Sequence, residues 1–190
     1  MNANEVLIDL LEDNRRRLKR VLQSLNAEGL DWRPDAQGNS IALTAWHMGR
    51  IFDVFLTVQA WGEPAEEECW FRGGWARRSG YDPRGVGQNG WGMLTGYSLQ
   101  DVAAVPRFSR ELILGYLDEV YDMVKGYLAD MPIENLLEAA AGFDGRYSRY
   151  QCVQMALLDN VRHLGEIYAL KASWQRLSGE GHEALTEVGW

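Results

Sequence analysis

Residues 159–167, which read DNVRHLGEI, place three ionisable side chains in an otherwise apolar segment. At the 100° step of an α-helix, Asp159, His163 and Glu166 fall within an arc of about 60°. The surrounding segment, about 150–177, carries apolar residues at helical spacing over most of its circumference. Such a segment predicts a long helix buried on several sides, either centrally in the fold or by oligomerisation.

Three more segments show the helical repeat of apolar residues, at about 4–26, 41–60 and 109–130. Ser40 is predicted to cap the second of these helices, and Pro132 ends the third. No segment alternates apolar and polar residues with the period of a strand. Four long helices without strands predict an all-α, up-down four-helix bundle.

The composition is that of one globular domain. The chain has 190 residues, of which 46% are hydrophobic and 24% charged. The domain is predicted to span residues 1–178, with 179–190 as a surface tail. Only two cysteines are present, Cys69 and Cys152, and they lack CxxC spacing, which argues against a disulfide scaffold or a cysteine zinc site.

The formal charge of −8 disfavours binding to nucleic acid, because an acidic surface repels the phosphate backbone. No uninterrupted apolar run reaches the roughly 18 residues of a membrane span. The acidic N-terminus does not resemble a signal peptide. We therefore expect a cytoplasmic protein that contacts neither membrane nor nucleic acid.

Residues 62–108, between the second and third helices, form an unusual insertion. They include nine glycines and seven large aromatic residues. A bare loop of this length is uncommon in a compact domain. The insertion is predicted to contain one or two short helical turns, one of them capped at Ser98, and to pack its aromatic rings onto the helices. Its glycines also make it a candidate lid over a ligand.

His47 is the polar centre of an apolar stripe on the second helix. Five apolar residues lie within about 40° of it on the helical wheel: Leu43, Ile51, Val54, Val58 and Trp61. A buried imidazole must form hydrogen bonds or bind a ligand. If the second and fourth helices face each other, His47 meets Asp159 and His163. Two histidines and a carboxylate are a frequent ligand set for a catalytic divalent metal, although a metal-free network of the same residues remains an alternative.

The other polar residues of the fourth helix have more than one interpretation. Glu166 can hold a ligand histidine in one tautomer, or it can pair with Arg162 one turn away. Cys152 is a possible nucleophile, but a buried thiol without a neighbouring cation is more often inert. His182 lies in the glycine-rich tail and is expected to be exposed.

Two short motifs and their order resemble the DinB-like, or YfiT-like, family of four-helix bundles. The first is LDWRP at 30–34, followed by SIA at 40–42 and then His47. The second is the segment 159–167, which is similar to the HxxxH-x-G-[Q/E]-[I/L] signature of that family. The resemblance covers essentially the whole chain, and the insertion at 62–108 fits it least.

The resemblance implies a divalent metal held by one side chain from the second helix and two from the fourth, here His47, Asp159 and His163. The first position of the helix-four signature is Asp159 instead of the usual histidine, which changes the charge of the site. Characterised members include transferases and an isomerase that depend on mycothiol or bacillithiol, and many are homodimers. Four arginines of the insertion are candidates for the carboxylates of such a thiol, the alternative being pairing with Glu66, Glu67 and Glu68: Arg72, Arg77, Arg78 and Arg84.

Three functions are therefore open. The first is a metal-dependent transferase or isomerase that acts on a small molecule with a thiol cofactor and uses nickel, zinc or iron(II). The second is a bundle that binds a metal or ligand without catalysis. The third is a metal-free helical dimer in which the three polar residues form a buried network.

Overall fold

The computed structural model describes residues 2–179, and in this range the predicted all-α bundle is confirmed. The bounds of the long helices agree with the apolar repeats. The four helices are α1 (Ala3–Gln23), α2 (Ile41–Asp53, continued to Ala60 by a π-helical stretch), α3 (Arg110–Asp130) and α4 (Arg149–Ser178). The predicted tail, except Gly179, and His182 lie outside the described residues.

Short helices occupy the connections between the long ones. Ala27–Asp31 follows α1, and Ile133–Leu136 follows α3. The insertion contains more helical turns than the one or two predicted. They are three short α-helices and two 3-10 turns: Ala65–Glu67, Cys69–Arg72, Trp75–Ser79, Gln88–Gly90 and Leu99–Ala104. Ser98 begins the last of these with a capping box to Asp101, as its sequence predicts.

The start of each long helix is fixed by a polar side chain. Asn2, Ser40, Ser109 and Ser148 each accept a hydrogen bond from the backbone amide three residues later. These bonds satisfy amides that have no partner within the helix. The cap at Ser40 is important for the candidate site because it sets the residue at which α2 begins, and therefore the position of His47 on that helix.

α2, rather than α4, is the central helix. All thirteen residues of Ile41–Asp53 are buried, and the helix packs against both α3 and α4. Of the two alternatives predicted for α4, central burial does not hold in the described residues, since Leu158 is 49% exposed and Val161 is 52% exposed, and burial by oligomerisation stays a prediction. The outer face of α4 therefore exposes two large apolar side chains among polar ones such as Gln154 and Arg162.

A buried hydrogen-bond network sets the register of α2 against α4. Nδ2 of Asn160 donates to the carbonyl oxygen of Met48 at 3.1 Å, and the Tyr121 hydroxyl lies between Asn160 and Asn14. Asn160 is fully buried, so a shift of either helix would break the bond to Met48 and leave Nδ2 with only the Ala156 carbonyl of its own helix. His47 and Asp159 each immediately precede a residue of the Met48–Asn160 bond, and the bond holds them side by side.

The π-helical stretch Val54–Ala60 changes which residues of α2 face inwards. The helical wheel places Val58 and Trp61 on the His47 stripe, but both are only partly buried in the structure. Leu56 and Ala60 are fully buried instead. The longer i→i+5 turn advances less per residue than an α-helix, so a wheel drawn at α-helical spacing loses phase beyond Asp53.

The aromatic rings of the insertion pack onto α2, as predicted. Trp46 contacts the rings of Trp70, Tyr81 and Phe108 at centroid distances of 5.6–5.8 Å. Trp46 and Trp70 are completely buried. These contacts make the insertion part of the hydrophobic core and attach it to the helix that carries His47.

Ile41–Ala60 is long and apolar enough to span a membrane, with a mean hydropathy of 1.2 over its most apolar window. However, 83% of that window is buried inside the bundle. A central core helix of a globular domain has the same length and composition, and α2 occupies that position here.

Candidate metal centre

The three predicted ligands converge where α2 faces the middle of α4. Oδ2 of Asp159 lies 3.4 Å from Nε2 of His47 and 3.6 Å from Nε2 of His163. The two imidazole rings meet edge to face with centroids 4.7 Å apart. One ligand atom from each residue lies within 4.8 Å of the others, a spacing that one ion can bridge.

The hydrogen bonds of the two histidines direct both Nε2 atoms into this cluster. Nδ1 of His47 hydrogen-bonds to the backbone carbonyl of Met93, and Nδ1 of His163 lies 2.6 Å from Oε2 of Glu166. A carbonyl oxygen can only accept, so Nδ1 of His47 carries a proton, and in the neutral ring Nε2 is left with a free lone pair. Metal-binding histidines in proteins are usually held in this way.

The third donor also fits a cation. Oδ2 of Asp159 is buried but forms no hydrogen bond with the described residues, although it faces two ring nitrogens. A buried carboxylate oxygen without a partner is costly, and a divalent ion between it and the two Nε2 atoms would satisfy all three. The donor set therefore fits nickel, zinc or iron(II).

The charges around the cluster favour the metal-binding form of Asp159 but the protonated form of His163. Burial tends to raise the pKa of Asp159, but His47 and the charge of His163 outweigh it, so this pKa lies below its usual value. The hydrogen bond to Glu166 raises the pKa of His163 and lowers that of Glu166. Asp159 is therefore anionic at neutral pH, whereas His163 must lose its extra proton before it can coordinate a metal.

The cluster is closed on the α2 side and open on the α4 side. The side chain of His47 is 7% exposed, whereas those of Asp159 and His163 are 30% and 27% exposed. Glu166, behind His163, is 42% exposed. The α4 side of the cluster therefore borders solvent, although Oδ2 of Asp159 is itself buried, and the α2 side is enclosed by protein.

The sequence profile of the DinB superfamily matches residues 10–167. The chain belongs to the DinB superfamily. Its fold is similar to that of a conserved protein from Enterococcus faecalis solved by crystallography, with a TM-score of 0.75 and 17% identity. The similarity covers 95% of this chain and 99% of the other. A search of curated proteins gave no match.

In this DinB bundle the alternative pairing of Glu166 with Arg162 does not occur. Arg162 is exposed and forms no ion pair with a described residue, whereas Glu166 bonds to His163. Glu166 therefore has the position expected of a group that fixes the orientation of a ligand histidine. Arg162 acts on the centre only through its charge, which helps to lower the pKa of Asp159.

Sequence reasoning missed a buried charged network one turn beyond His47. Arg50 is 1% exposed and its Nη1 donates to Glu68 at 2.6 Å. Asp53, also fully buried, accepts from the backbone amides of Cys69 and Trp70 and from the hydroxyl of Tyr116. The detectable signal was an arginine and an aspartate three residues apart in the most apolar helix of the chain.

The insertion arginines proposed for an anionic thiol show no common arrangement. Arg84 pairs with Asp82 and Glu66, in line with the alternative of surface pairing. Arg78 lies over the ring of Trp75, with its Cζ 4.3 Å from the centroid. Arg72 and Arg77 are exposed on the short helices of the insertion. The structure brings none of the four into contact with His47, Asp159 or His163.

Both thiols are buried and unsuited to nucleophilic chemistry. Burial raises the pKa of Cys152 to about 11 and that of Cys69 further still. The thiolate is the reactive form, so neither cysteine is ionised near neutral pH. If a thiol takes part in a reaction here, it must come from a bound molecule.

Proposed function

We propose that this DinB protein is a divalent-metal-dependent transferase or isomerase that uses a small thiol cofactor. The observation that carries the proposal is the buried Oδ2 of Asp159, which lacks a hydrogen bond and faces the Nε2 atoms of His47 and His163. In a metal-free network this oxygen would depend on a proton at one of the two Nε2 atoms, whereas a metal ion would bind all three atoms directly.

His47, Asp159 and His163 are the proposed ligands, and they leave coordination positions open on the exposed side. Two neutral imidazoles and one carboxylate leave a divalent ion with a formal charge of about +1. When bound, such an ion polarises a carbonyl group or lowers the pKa of a bound water or thiol. Glu166 holds the proton on Nδ1 of His163, and the burial of His47 keeps water away from the α2 side.

The support for a thiol cofactor comes from the resemblance to thiol-dependent DinB-like proteins and from the chemistry of the chain. Its own thiols are buried and protonated near neutral pH. The centre opens on the α4 side, which gives a small molecule access. We further propose that the protein is a homodimer, because the large apolar side chains of Leu158 and Val161 are exposed on the outer face of α4. A cytoplasmic location is proposed from the composition of the sequence.

Elemental analysis of untagged protein tests the metal. We expect about one equivalent of nickel, zinc or iron in the wild type and a loss of most of it in His47→Ala and Asp159→Asn. Asp130→Asn, an exposed change at the end of α3, is the matched control and should retain the metal. Wild-type protein that stays metal-free after reloading with each of the three ions would refute the metal centre.

Turnover tests the catalytic part separately. The metal-loaded wild type is assayed with low-molecular-weight thiols and a panel of electrophiles and cis-unsaturated acids. We expect thiol-dependent turnover that is lost in Asp159→Asn. A protein that binds metal stoichiometrically but converts no substrate with any thiol would instead be a binding bundle.

A further inference from the structure

Arg50 is linked to His47 through a three-residue segment of the insertion, Trp91–Met93. Nε of Arg50 donates to the carbonyl of Gly92 at 3.0 Å, and Nη2 donates to that of Trp91 at 3.2 Å. The next carbonyl along the chain, that of Met93, accepts from Nδ1 of His47. Three consecutive carbonyl groups of one segment are therefore bound by two side chains of α2.

Arg50 is itself held rigidly in place. Its third group, Nη1, is bound to Glu68, and the side chain is 1% exposed. The planar guanidinium fork fixes the directions of all these bonds at once, which a lysine ammonium cannot do. The position of the Met93 carbonyl therefore depends on the buried charge network as well as on the loop itself.

The loop is also constrained from its other side. Gly92 has a φ of +62°, and a Cβ at this position would lie 2.4 Å from the backbone carbonyl oxygen of Pro83. Only glycine allows the segment to approach Pro83 this closely. Residues 91–93 thus have one available position, between Pro83 on one side and Arg50 with His47 on the other.

We propose that Arg50 is a positioning residue, which sets the tautomer of His47 and hence the metal affinity of the centre through the carbonyls of Trp91–Met93. The part that concerns metal rests on the proposed function, whereas the part that concerns the tautomer does not. By this proposal the middle of the insertion is a fixed support for the centre and does not move as a lid.

Two variants test the proposal by different routes. Arg50→Lys keeps the buried charge but loses the fork that holds the two carbonyls. Gly92→Ala leaves every charge in place and displaces the same segment through the contact with Pro83. Gly80→Ala is the matched control. It also places an alanine at a positive φ (+70°) in the insertion, but a Cβ at residue 80 meets nothing within 4 Å.

The first readout is the tautomer of His47 in metal-free protein, read from long-range ¹H–¹⁵N correlation spectra and assigned with His47→Gln. We expect the Nδ1–H form in the wild type and in Gly80→Ala, and a mixture with the Nε2–H form in Arg50→Lys and Gly92→Ala. The second readout is zinc affinity by competition with a chromophoric chelator, where we expect both variants to bind at least about tenfold more weakly.

The outcomes separate this proposal from the proposed function. Tautomer shifts in both variants of a protein that binds no zinc would support the positioning role and refute the metal centre. Wild-type tautomer and zinc affinity in a folded Arg50→Lys would overturn the positioning role. If Arg50→Lys does not fold, Gly92→Ala decides alone, and unchanged His47 signals in it would show that the loop does not control the imidazole.

Discussion

His47 and His163 direct the same ring nitrogen to the same carboxylate oxygen from opposite surroundings. The His47 side chain is 7% exposed on the central helix, and its Nδ1 bonds to the backbone carbonyl of Met93, next to the Gly92 carbonyl that Arg50 binds. The His163 side chain is 27% exposed on an outer helix, and its Nδ1 bonds to a half-exposed carboxylate. The closed half of the centre is thus built for fixed geometry, and the open half for exchange of protons and ligands with solvent.

The largest expected effect on stability comes from removing the hydrogen bond that aligns α2 with α4, and with them the closed and open halves of the centre. Asn160→Ala removes the bond to the Met48 carbonyl and one partner of the Tyr121 hydroxyl inside the core. We expect the free energy of unfolding to fall by about 3 kcal/mol in urea titrations, because buried polar groups lose partners and a cavity forms. Gln154→Ala, on the exposed face of α4, should change it by less than about 0.5 kcal/mol. A loss below about 1 kcal/mol for Asn160→Ala would mean that apolar packing alone sets the register.

Alanine substitution of each histidine sharpens the comparison. In metal-free protein, His47→Ala should lower the unfolding free energy by about 2 kcal/mol, because it leaves a cavity and frees the Met93 carbonyl. His163→Ala should cost less than about 1 kcal/mol at its partly exposed position. Both variants should lose metal. Equal costs in thermal or urea unfolding would contradict the division into a closed and an open half.

On the closed side, the stability contributed by Glu68, the buried partner of Arg50, should fall as the pH rises. Burial, against the attraction of Arg50, raises the pKa of Glu68 to about 7. Because this pKa lies above the value in the unfolded chain, the associated stability is complete below about pH 4.5 and is lost as the pH rises through 7. Between pH 5 and 8, wild-type protein should lose on the order of 1 kcal/mol more stability than Glu68→Gln. Parallel curves for the two proteins in urea titrations would show that Glu68 stays ionised throughout.

On the open side, the stability contributed by the His163–Glu166 pair should also depend on pH, and this is the smallest of the expected effects. The raised pKa of His163 gives stability that is lost as pH rises through it, and the lowered pKa of Glu166 gives stability that is lost as pH falls. The pair therefore contributes most between about pH 4.5 and 6.5. Glu166→Gln should cost at most about 0.5 kcal/mol there, since solvent screens a half-exposed pair. NMR titration should show a lower His163 pKa in this variant, and an unchanged pKa would disprove the pairing.

The apolar repeats were sufficient to predict the four long helices, because a stripe at helical spacing can be read from one segment at a time. The convergence of His47 with Asp159 and His163 was predicted on the same basis once two helices were assumed to face each other. The helical wheel assigned the wrong inward-facing residues in the last part of α2, at Val58 and Trp61, because the apolar pattern does not signal a π-helical turn. It also failed to place α2 at the centre of the bundle.

The Arg50 network was not predictable because its partners come from distant parts of the chain. Glu68 and the carbonyls of Trp91 and Gly92 belong to a glycine-rich insertion whose path no periodicity describes. The bond from His47 to the Met93 carbonyl is hidden for the same reason, since any residue type offers a backbone carbonyl. Contacts of this kind depend on loop shape rather than on side-chain pattern.

The Met48–Asn160 bond joins residues 112 positions apart. It can therefore form only late in synthesis, when α4 has left the ribosome. A growing chain that has emerged only as far as α3 contains a single candidate ligand, so it cannot retain an ion with useful affinity. The asparagine that aligns the ligands arrives together with two of them on the last long helix. If the proposed ion binds, it would therefore be acquired only once α4 has joined the bundle, and its binding would stabilise the folded bundle rather than direct the earlier steps of folding.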